Sequence, residues 1–234
     1  MFMKNITSNL NLTDYKLSKK TAHIIFVSPI IITFIVGLLL ILKPTKSFGF
    51  WLLDENAPIE MLTFVSLIIG GIFGSWFSLK YSKYMEKYIT VFYLFFSICL
   101  ILIAMEEIAW GQWFFHFDTP EKWAKINKQG ETTIHNIKGI HGHNENLRLL
   151  FGLGGLIGIF VGNYKKLKKI SVPKLLFFWF LIIFFHSLLD VLTSMDNNNQ
   201  PMQRISELIE MLIGGSALLY LWLNYKMIKS HHLY

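Results

Sequence analysis

Seven ionisable side chains lie within or at the edges of stretches that are otherwise apolar. They are six acids and one histidine, namely Glu60, Glu106, Glu107, His186, Asp190, Glu207 and Glu210. Ionisable groups inside apolar helices are costly in a membrane, and where they occur they mark ligand, ion or proton sites. Carboxylates and imidazoles transfer protons and bind metals, so these residues predict a site for acid–base or metal-assisted chemistry.

Helical spacing pairs four of these residues. His186 and Asp190 are four positions apart, and Glu207 and Glu210 are three apart. Each pair therefore lies on one face of its helix, where both side chains can reach one ligand. A plainer interpretation holds for acids at helix N-termini, including Glu60, because the helix dipole favours a negative charge there.

Glu106 and Glu107 stand instead at the C-terminal end of an apolar run. The helix dipole opposes a negative charge at that end. A proton, a metal ion or a cationic partner is therefore needed beside them, which indicates a functional role.

The connection 114–147 carries further side chains of the kind that bind metals, His135, His141 and His143. The tripeptide His141-Gly142-His143 can supply two imidazoles from one turn, although histidines of polar loops often bind nothing. Imidazoles with carboxylates suit zinc, or iron and manganese where oxygen ligands dominate. A divalent metal is therefore the expected cofactor.

The elements that position these residues are predicted to be transmembrane helices. The chain has 234 residues, of which 53% are hydrophobic and 16% aromatic, and its uncharged runs approach the ~20 residues that cross a bilayer. We predict an all-α, polytopic helical bundle with one domain, 21–225, and a long extracytoplasmic loop after the third span. The six predicted spans are 21–42, 60–79, 88–108, 147–164, 173–192 and 206–225.

Lysines set the predicted orientation. They are in excess in segment 1–20, in the second and fourth connections and in the tail 226–234, and such excess marks the cytoplasmic side. Both termini are therefore predicted to be cytoplasmic, in the cell (inner or plasma) membrane. Lysines facing anionic lipid also explain the net charge of +7 without a nucleic-acid partner.

This topology brings the ionisable residues of the spans to one compartment, outside the cytoplasm. The loop 114–147 lies on the same side, and Thr119-Pro120-Glu121 within it has the pattern of a helix start. A short interfacial helix from there to about Asn127 is predicted. The spacing of Gly154, Gly158 and Gly162 in the fourth span predicts close packing against another helix.

Several motifs of known chemistry are missing from the sequence. It has no Gly-x-Ser-x-Gly elbow, no Walker lysine loop, no Cys-x-x-Cys pair and no His-Glu-x-x-His helix, which disfavours serine hydrolysis and ATP use. The single cysteine, Cys99, lies in the middle of a span and forms no disulfide framework.

One set of motifs resembles a family of uncharacterised bacterial multi-pass membrane proteins. The family carries Glu-Glu-Ile-Ser-Trp-Gly-Gln-Arg, then Thr-Pro-Glu and a Gln-Gly-Glu stretch ending in His-Asn. The matching residues here are Glu106-Glu107-Ile108-Ala109-Trp110-Gly111-Gln112, Thr119-Pro120-Glu121, Asn127, Gln129-Gly130-Glu131 and His135-Asn136. An acidic start to the second span and a Glu-x-x-Glu opening to the last span add to the resemblance, which covers about residues 54–140 and the final helix.

The resemblance implies importance for Glu106, Glu107, Gln112, Glu131 and His135, and it names no reaction. The chain departs from the pattern at two positions, where alanine replaces serine at 109 and tryptophan replaces arginine at 113. Loss of that arginine weakens the case for an anionic ligand. A looser similarity, in ligand chemistry alone, is to alkaline-ceramidase-type membrane hydrolases, which hold zinc with histidines and an aspartate inside a helical bundle.

The leading hypothesis is a membrane-embedded, metal-dependent hydrolase of a lipid or lipid-linked substrate. Its candidate metal ligands are His135, His141, His143, His186 and Asp190. Its candidate catalytic residues are Glu107 or Glu210 as the general base, with Glu106. Its supporting site residues are Glu60, Gln112, Glu131 and Glu207.

Two hypotheses from other functional classes stay open. The first is a proton- or cation-coupled transporter that uses the carboxylates as a relay, although acids confined to one membrane edge argue against it. The second is a non-catalytic membrane sensor or assembly partner, for which the long connection is the interaction surface.

Overall fold

The computed structural model describes residues 12–128, 130–134, 136–137, 144–193 and 200–232, and these residues are helical with no β-strand. The all-α prediction is thereby confirmed. The eight main helices are α1 (Lys19–Ile41), α2 (Lys46–Leu52), α3 (Pro58–Lys80), α4 (Lys87–Glu107), α5 (Glu121–Ile126), α6 (Asn144–Val161), α7 (Phe177–Thr193) and α8 (Gln200–His232).

Five helical segments within the described ranges are long and apolar enough to cross a membrane. They are Lys19–Ile41, Pro58–Lys80, Lys87–Glu107, Lys174–Thr193 and Arg204–His231. The multi-pass membrane character predicted from the sequence agrees with these lengths. The helix at the predicted fourth span, α6, has 18 residues and is not among the five.

The bundle is organised around α8, the most buried of the long helices. Helices α3 and α4 form a hairpin, α8 packs along α3, and α7 packs against α6, α8 and α1. The core between them is filled by large side chains with almost no exposed surface, such as Leu67, Phe77, Tyr93, Ile183 and Leu221. Burial of these apolar side chains against one another is what fixes the helix ends relative to each other.

Small residues let α6 and α7 approach closely in antiparallel directions. A Cβ atom added at Gly152 would lie 2.8 Å from the Cα atom of Phe184, and one added at Gly158 would lie 2.6 Å from Val172. The sequence analysis predicted a close helix contact at Gly154, and this prediction was wrong. A Cβ atom added at Gly154 would have no atom of another described element within 4 Å. Its side of the helix faces away from α7, because the contact follows positions 152, 155 and 158.

One end of the bundle, here called the basic end, holds both ends of the described chain. The hydroxyl of Ser230 near the end of α8 donates to the carbonyl of Asp14, 2.8 Å away, and Lys168 pairs with the Asp14 carboxylate at 2.9 Å. Lys169 pairs with Glu86 at 3.1 Å just before α4. The start of the described chain, the α3–α4 turn, the α6–α7 connection and the end of α8 therefore lie together.

Candidate functional site

The opposite end of the bundle, here called the acidic end, is built from the ends of five helices. Because consecutive helices run in opposite directions, starts of α3, α6 and α8 meet ends of α4 and α7. The side chains that they contribute are Glu60 from α3, Glu106 and Glu107 from α4, Arg148 from α6, His186 and Asp190 from α7, and Glu207 and Glu210 from α8.

Arg148 joins three helices at this end. Its Nη1 donates to Oε1 of Glu210 at 2.6 Å, and its Nη2 donates to Oδ2 of Asp190 at 2.8 Å. Only 12% of the arginine side chain is exposed, so both hydrogen bonds are shielded from competing solvent. The planar guanidinium suits two carboxylates at once, whereas the ammonium group of lysine offers a point charge.

Sequence reasoning missed Arg148, although one signal was present. The chain contains only two arginines among its 22 basic residues, Arg148 and Arg204, and both lie at the starts of apolar helices. Both also bind acids of this end, since Arg204 pairs with Asp54. The hydrogen bond from Arg204 holds the pKa of the Asp54 carboxyl below its usual value.

Glu107 is the acid around which the others gather. Its carboxylate interacts electrostatically with those of Glu60, Glu106, Glu207 and Glu210, which come from three helices. Among the described residues no hydrogen-bond donor contacts it. Glu60 differs, because its Oε2 accepts a hydrogen bond from the backbone N–H of Asn56 just before α3.

A small cavity lies beside these acids. It has a volume of about 10 Å³ and is lined by Asn56, Glu60, Met61, Glu107, Ile108 and Trp113. That volume is roughly what one water molecule requires. The indole of Trp113 stands where the resembling family has arginine, so this wall of the cavity is aromatic and uncharged.

Glu106 has a different environment from Glu107. Its Oε1 accepts from Nε1 of Trp110 at 2.6 Å, and its Oε2 accepts from the backbone N–H of Ile134, also at 2.6 Å. Both carboxylate oxygens thus fasten the segment that follows α4. These contacts assign Glu106 a positioning role.

Gln112 ties the same segment together. Its Nε2 donates to Oγ1 of Thr119 at 2.8 Å, and its Oε1 accepts from the N–H of Thr132 at 3.1 Å. The Thr119 hydroxyl in turn donates to the carbonyl of Gly130. Gln112, Thr119 and Gly130, which the sequence motifs singled out, are therefore linked by hydrogen bonds, and these bonds hold the described part of the loop over the end of α4.

Three more motif residues take part in hydrogen bonds within this loop. Nδ2 of Asn127 donates to the carbonyl of Thr133 at 2.8 Å, and Glu131 accepts from Nδ2 of Asn136 at 3.3 Å. Asn127 is 3% exposed, so its amide group organises the interior of this loop.

The helix-start prediction in this loop was wrong in detail. Helix α5 begins at Glu121, with Pro120 at the capping position and no side-chain cap. Thr119 does not cap the helix because its hydroxyl is engaged by Gln112 and Gly130.

The chain turns sharply between α4 and this loop. Ala109, Trp110 and Gly111 have φ angles of 45°, 55° and 92°, in the left-handed region that glycine adopts freely and other residues rarely do. Non-glycine residues held there store strain, which is concentrated at functional sites. The turn directs the chain so that Trp113 reaches the cavity next to Glu107.

His186 lies in the last turns of α7 with both ring nitrogens buried. Neither Nδ1 nor Nε2 has a hydrogen-bond partner among the described residues, while Asp190 and Arg148 interact with the ring electrostatically. Buried polar atoms are nearly always satisfied. An imidazole with two free nitrogens is therefore available to a ligand.

The predicted metal centre is only partly visible. His135, His141 and His143 lie outside the described residues. Within the described part of the chain, no three residues among histidine, cysteine, aspartate and glutamate are arranged to hold a metal ion. Of the predicted ligands, the structure places His186 and Asp190 one helical turn apart, with Asp190 bound to Arg148.

Comparisons with protein-family models, with curated proteins and with solved structures give no match.

Proposed function

We propose that the protein is an integral membrane enzyme that acts on a lipid or lipid-linked substrate, with the acidic end as its reaction centre. One observation carries this proposal. Glu107 faces a cavity of water size, is surrounded by acids from three helices, and receives no hydrogen bond from the described residues. Ionisable groups placed in this way inside a membrane bundle serve chemistry or transport.

The proposed reaction is hydrolysis. Glu107 acts as the general base and removes a proton from a water molecule in the cavity. The water oxygen bonds to the carbonyl carbon of a lipid ester or amide, and the proton passes to the leaving oxygen or nitrogen as its bond to carbon breaks. Arg148 holds Glu210 and Asp190 in place beside this centre.

A lipid substrate suits the surroundings of the cavity. Large apolar side chains of the loop are exposed next to the acidic end, with exposed fractions of 40% for Trp110, 79% for Phe115 and 49% for Ile134. Aromatic side chains of this kind occupy the interface between hydrocarbon and water. A substrate in the adjacent leaflet reaches the cavity without leaving the membrane.

We further propose that the site holds a divalent metal, zinc or else iron or manganese. His186 and Asp190 would supply two ligands, and the loop histidines 135, 141 and 143 would supply the others. Metal analysis of the purified protein, with and without His186→Ala, decides the question: stoichiometric metal that the variant loses supports the centre, and absence of metal in both removes it.

The proposed topology has six crossings with both termini in the cytoplasm. Helix α4 ends at the acidic end and α7 begins near the basic end, so the chain between them must cross the bundle. Helix α6 makes this crossing, since its 18 residues extend about 27 Å. The hydrogen bond between Ser230 and Asp14 joins both ends of the described chain at the lysine-rich end, which supports a cytoplasmic position for them.

Replacement of Glu107 tests the proposed enzyme. The protein in lipid nanodiscs is incubated with glycerophospholipids, N-acyl lipids and lipid-linked sugars, and products are followed by mass spectrometry. Glu107→Gln is expected to lower the turnover of the lipid that is cleaved by at least about 100-fold, because a general base contributes that much. Asp118→Asn, which alters an exposed acid of the same loop outside the motifs, serves as the control.

Two results would refute the assignment. Turnover that survives Glu107→Gln would remove Glu107 as the base. Cleavage of none of the lipid classes by the unaltered protein would favour the second candidate, a non-catalytic assembly partner. That candidate is supported by the exposed apolar residues in the described part of the loop, which offer a surface for another membrane protein.

A further inference from the structure

A second polar surface lies at the basic end, about the length of a helix away from the acidic cavity. We call it the lysine–tyrosine surface and define it by Lys80, Tyr81, Lys83, Tyr225 and Lys229. Its residues come from the end of α3, the turn after it and the last turns of α8. None of them takes part in the proposed reaction.

Aromatic rings form the base of this surface. The rings of Tyr81 and Tyr225 are 5.5 Å apart and nearly perpendicular, at 81°. The Lys80 ammonium lies 4.7 Å from the ring centroid of Trp76, and the Lys229 ammonium lies 5.5 Å from that of Tyr225. The rings orient the two lysines by cation–π attraction, and the Lys229 ammonium also donates a hydrogen bond to the Tyr225 hydroxyl.

The positive charge of the surface is not compensated within the described structure. Two acids of the basic end, Asp14 and Glu86, are already paired with Lys168 and Lys169. Lys80, Lys83 and Lys229 form no ion pair with any residue that the structure describes, and all three are exposed. The positive charges of these three lysines are therefore not paired with an acid of the described structure.

The position of the surface selects its ligand. Lys80 and Lys229 stand at the ends of two membrane-crossing segments, Pro58–Lys80 and Arg204–His231, where lipid headgroups lie. Lysine binds phosphate as a strong point charge, and tyrosine and tryptophan favour the same interfacial depth. We propose that the lysine–tyrosine surface binds the phosphate headgroup of an anionic phospholipid, such as phosphatidylglycerol, from the adjacent leaflet.

Native mass spectrometry of the full-length protein in detergent tests the proposal. Phosphatidylglycerol or phosphatidylcholine with identical acyl chains is titrated, and the apparent Kd of the first bound lipid is compared. The unaltered protein is expected to prefer phosphatidylglycerol. Lys80→Ala with Lys229→Ala is expected to weaken its binding about tenfold, because each lysine near an anionic headgroup contributes a severalfold change.

Two further variants distinguish lipid binding at a defined site from lipid attraction by the overall positive charge of this end. Lys19→Ala with Lys20→Ala removes the same charge from the same end of the bundle and is expected to change binding less than about twofold. Lys80→Arg with Lys229→Arg keeps the charge and is expected to keep the preference for phosphatidylglycerol. It also reports on the site if the alanine variant fails to fold.

The proposal is overturned if the unaltered protein binds both lipids equally. It is also overturned if the Lys19/Lys20 variant loses as much affinity as the Lys80/Lys229 alanine variant, since the effect would then be that of overall charge. Equal loss in the arginine variant has the same consequence, because charge would not be what the surface supplies.

Discussion

At the scale of residues, Arg148 is the group on which the acidic end depends. It forms ion pairs with two carboxylates from two helices, Asp190 and Glu210, in a place where only 12% of its own side chain is exposed. Removing one partner of a buried ion pair lowers the free energy of unfolding by more than the intact pair contributes. The remaining charge has lost its counter-ion but stays shielded from water. Arg148 therefore decides whether the surrounding acids can be held together.

Replacement of Arg148 by methionine is expected to lower the free energy of unfolding in detergent by about 3 kcal/mol. The matched control is Arg204→Met, which breaks the ion pair with Asp54. That pair is more exposed, at 37% and 52%, so a loss below about 1 kcal/mol is expected. Equal effects of the two substitutions would mean that Arg148 is not the buried counter-ion of this end.

The sequence predicted a site at the two glutamates that end α4, but it could not predict that their environments differ. Their types and position predicted a site, yet Glu106 receives two hydrogen bonds from the loop while Glu107 receives none from the described residues. The difference depends on where Trp110 and Ile134 return to the helix. No spacing rule reveals that return, since residue 134 is 28 positions away.

At the scale of elements, the close approach of α6 and α7 holds Arg148 next to Asp190. Gly152 lies one turn beyond Arg148, and any Cβ atom there would lie 2.8 Å from backbone atoms of Phe184. Backbone cannot rotate away as a side chain can, so the two helices would have to separate. The absence of a side chain at Gly152 therefore allows the helix spacing at which Arg148 pairs with Asp190.

Gly152→Ala is expected to destabilise the protein by about 1–3 kcal/mol, the usual cost of overpacking a helix contact. Gly154→Ala is the control, because its Cβ would have open space, and it is expected to be neutral or slightly stabilising through higher helix propensity. The midpoint of thermal unfolding in detergent measures both variants. A Gly152 variant as stable as the control would show that α6 and α7 do not touch along this face.

The helices themselves could be predicted largely from hydropathy, because the long apolar runs end where lysines and acids begin. The side of α6 that faces α7 could not be predicted, because its four glycines offer several possible contact stripes and only the packing selects one. The loop after α4 was also beyond prediction. Its course depends on side-chain contacts such as those of Gln112 with Thr119 and Thr132, which join residues up to 20 positions apart.

At the scale of the whole molecule, charge is divided between two ends. The basic end carries both ends of the described chain, the paired acids Asp14 and Glu86 and the lysine–tyrosine surface. The acidic end carries the cavity beside Glu107 and the Arg148 ion pairs. In the orientation that we propose, the lysine-rich end is cytoplasmic and the acidic cavity faces the opposite leaflet.

Side chains from separate helices meet at the acidic end. A double-mutant cycle between α6 and α8 tests this contact most directly. Unfolding free energies are measured for Arg148→Met, Glu210→Gln and the double variant. Direct contact, with Nη1 and Oε1 2.6 Å apart, predicts a coupling energy of at least about 1 kcal/mol. Strictly additive effects on the unfolding free energy would contradict this contact. They would mean that Arg148 and Glu210, which are 62 positions apart in the chain, do not interact in the folded protein.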